Sequence, residues 1–285
     1  MEVDTQEAIF RRQWRQSPGQ EKVIMDWVSE MKNAGLIRTS TSPHGAPTFC
    51  VRKPIRWRIV HDYRAMNSHA IRRTLPMPRK DIIIEKIHGA YWYSCMDLLS
   101  GYYQFRMRNC DIPYTAFQTP DGSYEYLVLP MGLSNAPATF NEGIRRILAD
   151  LSDICYFDDI YVYSRSKALD VHLEALDRCY FDDIYVYLRS KSLDVHLEAL
   201  DRVLTRLENH NFYVKLSKCV FCVDEIPCLG DYIGRDGVRI DPKKVEILQG
   251  WPLPRTRSEL QSFLGTAVYI QRFFVVILPA MLATV

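Results

Sequence analysis

The chain contains a tandem repeat of 24 residues near its centre. Residues 155–178 read CYFDDIYVYSRSKALDVHLEALDR, and residues 179–202 repeat them with two differences, Ser164/Leu188 and Ala168/Ser192. Each copy places an Asp-Asp pair between β-branched and aromatic residues, a pattern that predicts a hairpin with two carboxylates at its tip. A fold that needs one such hairpin must accommodate 24 additional residues, so the repeat constrains the topology more than any other feature of the sequence.

Composition is that of an ordinary globular protein. The 285 residues are 47% hydrophobic and 25% charged, enough for one large domain or two to three subdomains. No apolar run approaches the ~20 residues of a membrane span, and the N-terminus is too polar for a secretory signal. Eight cysteines at irregular spacing without such a signal indicate reduced thiols. We therefore expect an intracellular protein with no membrane partner.

The net charge of +2 hides an uneven distribution. Residues 38–80 carry ten Arg or Lys and one acid, whereas residues 146–208 carry thirteen acids and eight Arg or Lys. A basic front and an acidic centre suit a protein that binds a polyanion at one surface and metal ions at another. A solvated charged face explains most such runs, so charge alone leaves both interpretations open.

Hydrophobic periodicity predicts helices mixed with antiparallel strands, an α+β fold. The predicted helices are 17–36, 81–88, 137–149, the leucine-striped segment 193–207, 242–250 and 258–274. The predicted strands are 49–51, 57–60, 91–96, 218–223 and 228–233, with a turn at 121–122. His172 and His196 occupy equivalent positions in the two repeat helices, and we expect both to face solvent.

Asp97 ends the predicted strand YWYSCM and supplies a third carboxylate. An acid at a strand end beside a two-acid hairpin can hold two Mg²⁺ ions, an arrangement used for in-line phosphoryl displacement. Such hard cations prefer oxygen ligands, which Asp provides. Cys219, Cys222 and Cys228 lack a fourth Cys or His at zinc-site spacing. The residues therefore predict a divalent-metal site at Asp97 and one Asp-Asp pair.

Five consecutive segments resemble the motifs of a reverse transcriptase, in the same order. They are WRIVHDYRAMN (57–67), YWYSCMDLLSGYYQFRM (91–107), YEYLVLPMGLSNAPATFNEGI (124–144), YFDDIYVYS (156–164) and the segment 216–265. The sequence resembles the gypsy-type LTR retrotransposon polyproteins from about residue 23 to residue 274. The resemblance implies a right-hand polymerase of fingers, palm and thumb, with an antiparallel palm sheet backed by helices.

By position, the resemblance implies that Asp97, Asp158 and Asp159 are the catalytic metal ligands. Two Mg²⁺ ions are the implied cofactor, with Mn²⁺ as an alternative. The sequence leaves open whether Asp182 and Asp183 of the second copy take this place instead. We favour the first copy, because residues 151–155 upstream of it can extend as a strand, whereas residues 171–178 upstream of the second copy favour a helix. The second hairpin would then be extruded.

The resemblance also implies a nucleotide site. Tyr102 lies where the family keeps an aromatic ring under the sugar 2′ position, which excludes ribonucleotides by steric clash. Arg58 matches the arginine that clamps the incoming triphosphate, a bidentate task suited to guanidinium. Lys53 would be a second clamp, and Met131 would lie beneath the nucleotide and template base.

The implied function is RNA-directed DNA polymerase activity, which transfers deoxynucleotides from their triphosphates to a primer on an RNA or DNA template. The implied organisation is an N-terminal extension (1–22), fingers and palm (23–235) and a truncated thumb-like helical segment (236–285). We expect the protease, ribonuclease H and integrase regions of a polyprotein to lie outside this chain. We expect a cytoplasmic location, including virus-like particles.

Two alternatives remain open. The repeat inserts 24 residues into the implied palm, so the chain can also be read as a catalytically defective remnant that only binds nucleic acid through its basic residues. An RNA-dependent RNA polymerase is a third interpretation. Tyr102 argues against it, because an enzyme that uses ribonucleotides must leave room for the 2′-hydroxyl.

Overall fold

The computed structural model describes residues 2–52, 57–73, 85, 87–151, 155–157, 183–189, 191–228 and 231–271. At residues 155–157, 183, 248–249 and 269–271 it describes the backbone alone. The described strands are β1 (Ile37–Thr39), β2 (Thr48–Arg52), β3 (Trp57–His61), β4 (Trp92–Asp97), β5 (Phe117–Thr119), β6 (Gly122–Tyr126), β7 (Cys155–Phe157), β8 (Asp183–Leu188), β9 (Val220–Val223), β10 (Glu225–Cys228), β11 (Asp231–Gly234) and β12 (Gly237–Ile240). The described α-helices are α1 (Pro18–Asn33), α2 (Arg64–His69), α3 (Ala136–Ile147), α4 (Leu193–Asn209), α5 (Pro242–Gln249) and α6 (Arg257–Gln271).

Helix α1 begins at a capping box. The Gln20 amide donates to the Ser17 hydroxyl at 3.4 Å, and the Ser17 amide donates to the Gln20 side chain at 3.0 Å, which satisfies two amides at the helix start. The helix buries Ile24, Val28 and Met31, which recur at i, i+4 and i+7 on one face. Shortly after its last turn, Gly35 adopts a φ of 66°, and the chain turns into β1.

The described strands form antiparallel sheets in the orders β1-β6-β5, β10-β11-β12, β2-β3 and β7-β8-β4-β9. We call the last of these the central sheet. Both faces of its strand β4 are covered: Met96 joins the main core with Val203 and Leu207 of α4, whereas Tyr93 and Cys95 join the second core beneath β10 to β12. Burial on both faces explains why YWYSCM reads as a continuous apolar run rather than an alternating one.

The β2–β3 hairpin buries an uncharged histidine. His61 is 8% exposed, with Nδ1 2.8 Å from the Thr48 hydroxyl and Nε2 2.9 Å from the Tyr126 hydroxyl. Its ring centroid is 4.0 Å from that of Phe117. Burial disfavours the charged imidazolium and lowers the pKa of His61 to about 3. The two hydroxyl partners satisfy the neutral ring, which is why it can replace an apolar side chain in this core.

The residues before α1 pack along β2. Gln13 Nε2 donates to the Thr48 carbonyl at 2.7 Å, and the Thr48 amide donates to Gln13 Oε1 at 2.8 Å. The side-chain amide of Gln13 therefore makes with Thr48 the same two hydrogen bonds that the backbone of a neighbouring strand would make. The expected division of the chain at residue 22 stays a prediction.

Two expectations about local structure are wrong. His196 is fully buried rather than solvent-facing, and its Nε2 lies 2.9 Å from the Ser94 hydroxyl of β4. Burial lowers the pKa of His196. The predicted strand 228–233 is two strands, because Cys228 pairs with Asp231 across a chain reversal. Among the described residues, no helix is long and apolar enough to cross a membrane.

Candidate active site

Asp97 lies at the end of β4, at the edge of the central sheet. Its side chain is 18% exposed, and its carbonyl accepts a 2.7 Å hydrogen bond from the Lys215 amide. Residues on either side of it in sequence, Met96 and Leu98, are buried in the main core. The carboxylate is therefore held at a fixed place where a buried strand reaches solvent.

The register of the central sheet brings a second acid to this edge. Strand β8 pairs with β4, with the Cα of Asp183 opposite that of Asp97 and Ile184 opposite Met96. On its other side β8 pairs with β7, with Phe157 opposite Ile184. The backbone therefore places an acidic residue from the repeat directly beside Asp97.

The hairpin is a hybrid of the two repeat copies. Strand β7 comes from the first copy and β8 from the second. Within a single copy, Phe157 and Ile160 flank the Asp-Asp pair. The observed partner, Ile184, is the residue 24 positions later, which is the equivalent of Ile160 in the second copy. The sheet thus has the register of a hairpin with one copy, and the additional 24 residues lie in the connection between the strands.

This arrangement corrects the expectation that the second copy is extruded as a whole. The incoming strand, β7, is from the first copy, which agrees with the expectation. The outgoing strand, β8, which pairs with β4 beside Asp97, is from the second copy. Asp158 and Asp159 lie outside the described residues, and so does Asp182. The metal-binding role of Asp158 and Asp159 stays a prediction.

Chain continuity explains why each strand comes from a different copy. Strand β7 follows α3 and the buried Leu151 after only a few residues. Strand β8 continues into α4, which buries Val203 and Leu207 at 0% and 1% exposure. The outgoing strand of the first copy would instead lead into residues 169–178. The segment of α4 that contains Val203 and Leu207 would then not follow directly from a strand of the central sheet. One of the two residues that differ between the copies, Leu188, also packs against the main core opposite Trp92.

Lys218 is a functional candidate that the sequence analysis missed. Its Nζ lies 2.5 Å from Asp97 Oδ2, although the two residues are 121 positions apart. Lys218 ends a short 3₁₀ helix, Leu216–Lys218, immediately before β9, the strand next to β4. No local pattern marks this lysine, because its proximity to Asp97 arises from the pairing of distant strands.

Tyr102 is held as part of the packed core. It lies in a 3₁₀ helix, Gly101–Gln104, is 7% exposed, and stacks on Phe140 of α3 with centroids 4.8 Å apart and planes at 17°. Ser100 before it has a φ of 50°, a conformation that turns the chain sharply after Asp97. Tyr102 therefore has a fixed orientation close in sequence to Asp97, and its role in sugar selection stays a prediction.

Two further predicted nucleotide contacts are the cationic residues Arg58 and Lys53. Arg58 lies in β3, paired with Val51 of β2, and its positive charge acts on Tyr103. Burial raises the pKa of Tyr103, and that charge opposes the shift. Lys53 lies outside the described residues. Arg58 is therefore close enough to interact electrostatically with Tyr103, the residue after Tyr102.

Met131 lies in a loop that is held in place by hydrogen bonds from the side chain of Asn67. The Asn67 side chain donates to the Gly132 carbonyl at 2.8 Å and accepts from the Ser134 amide at 2.8 Å. Gly132 has a φ of 95°, and a Cβ there would lie 3.3 Å from the Tyr63 ring. Asn67 is thus a positioning residue that the sequence analysis did not identify.

The described side chains alone do not complete a metal site. Among them, no three His, Cys, Asp or Glu residues converge on a point that could hold an ion. Of the predicted ligands, Asp97 is the one whose side chain is described. The donor chemistry nevertheless fits a hard divalent cation, because Asp97 and the residue opposite it, Asp183, both carry carboxylates.

The chain matches known sequences along most of its length. Residues 51–179 match the profile of the family "Reverse transcriptase (RNA-dependent DNA polymerase)". The chain is 34% identical over 274 residues to the retrovirus-related Pol polyprotein from transposon 297 of Drosophila melanogaster, covering 93% of this chain and 23% of that protein. It is 28% identical over 280 residues to the Tf2-3 polyprotein of Schizosaccharomyces pombe, covering 95% of this chain and 19% of that one. The chain therefore spans about a quarter or less of these relatives.

Solved structures match the fold. A foamy viral protease-reverse transcriptase in complex with dsDNA superposes with a TM-score of 0.75 at 25% identity, covering 94% of this chain and 51% of that one. The same viral protein with an RNA/DNA hybrid gives a TM-score of 0.74 at 24% identity, covering 94% of this chain and 33% of that one. The expected right-hand polymerase fold with mixed helices and antiparallel sheets is confirmed.

The family profile ends at residue 179 and so includes the first copy of the Asp-Asp pair, whereas the central sheet takes its outgoing strand from the second copy. Reverse transcriptases generally use divalent metal ions. The profile match and the sequence matches show that the chain contains a domain of the reverse transcriptase (RNA-dependent DNA polymerase) family and is related to the polyproteins of LTR retrotransposons.

Proposed function

We propose that this chain is an RNA-directed DNA polymerase that extends a primer on an RNA or DNA template. The observation that carries the proposal is the register of the central sheet, which sets Asp183 opposite Asp97 at the solvent edge. Two carboxylates from adjacent strands, in a family of nucleotidyltransferases, support transfer of a nucleotidyl group to a 3′-hydroxyl.

Asp97 and Asp183 would hold a divalent metal, Mg²⁺ or Mn²⁺, together with a carboxylate from residues 158–159. When bound, such an ion supplies positive charge at the reacting phosphate and acidifies the attacking hydroxyl. The protein contributes the position of the ligands. Asp97 is fixed between the buried Met96 and Leu98, and its carbonyl is bonded to the Lys215 amide, so little reorganisation is needed when a substrate arrives.

The neighbouring residues would select and orient a deoxynucleoside triphosphate. Tyr102, locked against Phe140, would form the floor of the sugar site and exclude a 2′-hydroxyl. Arg58 would bind the triphosphate through its planar guanidinium, with Lys53 as a second cation. Met131, on the loop held by Asn67, would lie beneath the base.

The partner proposed for the chain is a primer-template duplex. The solved reverse transcriptases that share the fold are bound to dsDNA and to an RNA/DNA hybrid. Ten Arg or Lys residues and a single acid lie in residues 38–80, which include β2 and β3. This excess of positive charge suits contact with a phosphate backbone, and binding should weaken as salt is raised.

Primer extension on poly(rA)/oligo(dT) with Mg²⁺ or Mn²⁺ tests the proposal. Asp97→Asn keeps the size of the side chain and removes its charge, so extension should fall at least a hundredfold. Asp236→Asn, at the exposed turn before β12, makes the same chemical change away from the site and should leave extension unchanged. Equal extension by the parent and Asp97→Asn would refute the proposed site.

A second candidate function, nucleic-acid binding without catalysis, is favoured by one observation. The connection from β7 to β8 contains 25 residues, whereas within either copy the two Asp residues are adjacent. If the separation prevents the carboxylates from acting together, the parent chain will bind primer-template in a salt-dependent way without extending it. A binding isotherm measured beside the extension assay distinguishes the two functions.

A further inference from the structure

We propose that the Lys218 ammonium is an internal counterion that competes with a divalent metal ion for Asp97. Lys218 Nζ lies 2.5 Å from Asp97 Oδ2, a contact short enough for a charge-assisted hydrogen bond. The Asp97 side chain is 18% exposed and that of Lys218 57%, so the carboxylate is the more enclosed partner. The inference rests on the proposed metal-dependent function.

The backbone holds Lys218 beside Asp97. The Lys215 amide donates to the Asp97 carbonyl at 2.7 Å, and the Leu99 amide donates to the Tyr213 carbonyl at 2.9 Å. The Lys218 amide then donates to the Lys215 carbonyl at 2.8 Å, closing the 3₁₀ turn. Hydrogen bonds on both sides of Leu98, the residue after Asp97, thus tie the two chain segments together. The ammonium stays within reach of the carboxylate instead of meeting it by chance from a mobile segment.

The electrostatic need for such a cation follows from the sheet register. Asp183 lies opposite Asp97, so two acidic residues share one edge of the sheet. Like charges on directly opposite residues of paired strands destabilise each other, and a nearby cation relieves the repulsion. Lys218 provides one positive charge to Asp97 when no metal is bound.

A divalent ion at the same carboxylate would carry twice the charge of the Lys218 ammonium and would repel it at short range. Metal binding therefore weakens the Lys218–Asp97 pair. The weakening of this pair opposes metal binding, so Lys218 sets the metal concentration at which the site fills. Lys218 is in this sense a positioning residue, since it acts on the metal through Asp97.

The experiment measures Mn²⁺ affinity by electron paramagnetic resonance of free Mn²⁺, without nucleic acid or nucleotide. Lys218→Met keeps the apolar stem and removes the charge, so Mn²⁺ should bind about two- to fivefold more tightly, the factor expected for losing a partly exposed ion pair. Lys218→Arg should bind Mn²⁺ as the parent does. Lys215→Met is the matched control, because Lys215 is exposed and lies three residues earlier on the same turn.

Equal Mn²⁺ affinity in Lys218→Met and Lys215→Met would overturn the proposal, since the change in net charge alone would then explain any effect. Weaker Mn²⁺ binding by Lys218→Met would also overturn it, because it would show that the lysine supports the metal. Thermal unfolding without metal shows whether each variant is folded before its affinity is measured.

A double-mutant cycle separates this inference from the proposed function. In an Asp97→Asn background, Lys218→Met should no longer change Mn²⁺ affinity, because the contact it removes is already lost. If Asp97→Asn leaves Mn²⁺ affinity at the parent value, the proposed metal site itself is wrong. If Asp97→Asn weakens Mn²⁺ binding but Lys218→Met changes nothing in the parent background, the competition alone is wrong.

Discussion

Deletion of one repeat should stabilise this protein without altering its central sheet. Removal of residues 158–181 joins Phe157 to Asp182 and restores a hairpin in which two Asp residues separate Phe157 from Ile184. These two flanking residues are already paired in the structure. The deletion therefore requires no change of register in β7, β8 or β4.

The expected gain follows from chain entropy. In the parent, 26 residues connect Phe157 to Ile184, and in the deletion variant two residues do. This shortening corresponds to between three and four halvings of the connection, each worth ~0.6 kcal/mol, so the free energy of unfolding should rise by about 2 kcal/mol. The midpoint of a urea titration should rise while its slope remains nearly constant.

A second deletion provides the matched control. Removal of residues 179–202 also leaves one copy of the repeat, but this copy carries Ser164 in place of Leu188 and Ala168 in place of Ser192, whose side chain makes no capping hydrogen bond to α4. Leu188 packs against the main core opposite Trp92, so the variant with serine should be less stable than the first by about 1 kcal/mol. If removal of 158–181 lowers the midpoint below that of the parent, the additional residues contribute to the fold and the hybrid hairpin is the wrong description.

Three further predictions concern buried groups. Because the pKa of His61 is lowered from 6.5 to about 3, the unfolded chain takes up a proton below pH 6.5 that the folded chain does not. The free energy of unfolding should therefore fall by about 2 kcal/mol from pH 7.5 to pH 5. His61→Gln lacks this group, so its urea midpoint should fall less than that of the parent over the same pH range. An equal fall in the two proteins would contradict the buried neutral ring. A Cβ at Gly143 would overlap the Phe105 ring, so Gly143→Ala should cost about 1–3 kcal/mol in the same titration, whereas Gly265→Ala, with no atom within 4 Å, should cost nothing. Tyr102→Val should allow ribonucleotides to compete in primer extension, and unchanged discrimination would show that Tyr102 only packs.

Elements with strong periodicity could be predicted from the sequence. The leucine stripe predicted α4, and Leu200 and Leu207 are buried as expected, whereas Leu193 and Leu197 of the same stripe are exposed. The same spacing holds the signal for His196, which lies four residues before Leu200 on the buried face and was misjudged because its side chain is polar. Its burial depends on the Ser94 hydroxyl of β4, a partner that no local pattern reveals.

Other parts of the site depend on contacts between distant residues. Lys218 reaches Asp97 because β9 pairs with β4, and Asn67 reaches the Met131 loop across 65 residues. The choice of repeat copy is of the same kind. A comparison of one whole hairpin with the other cannot predict the outcome, because each strand is selected separately by the helix to which it is joined, β7 by α3 and β8 by α4.

That selection predicts which of the four repeat aspartates act in catalysis. Asp158 directly follows β7, and Asp183 begins β8 opposite Asp97, whereas Asp159 and Asp182 are each one residue further into the connection. Asp158→Asn and Asp183→Asn should therefore weaken Mn²⁺ binding and reduce primer extension, and Asp159→Asn and Asp182→Asn should do neither. Each of the four variants removes one carboxylate charge, two in each repeat copy, so each serves as a control for the others. Loss of Mn²⁺ affinity in Asp158→Asn and Asp159→Asn together, with Asp183→Asn unaffected, would show that the first copy alone forms the site and that the hybrid hairpin does not carry the metal.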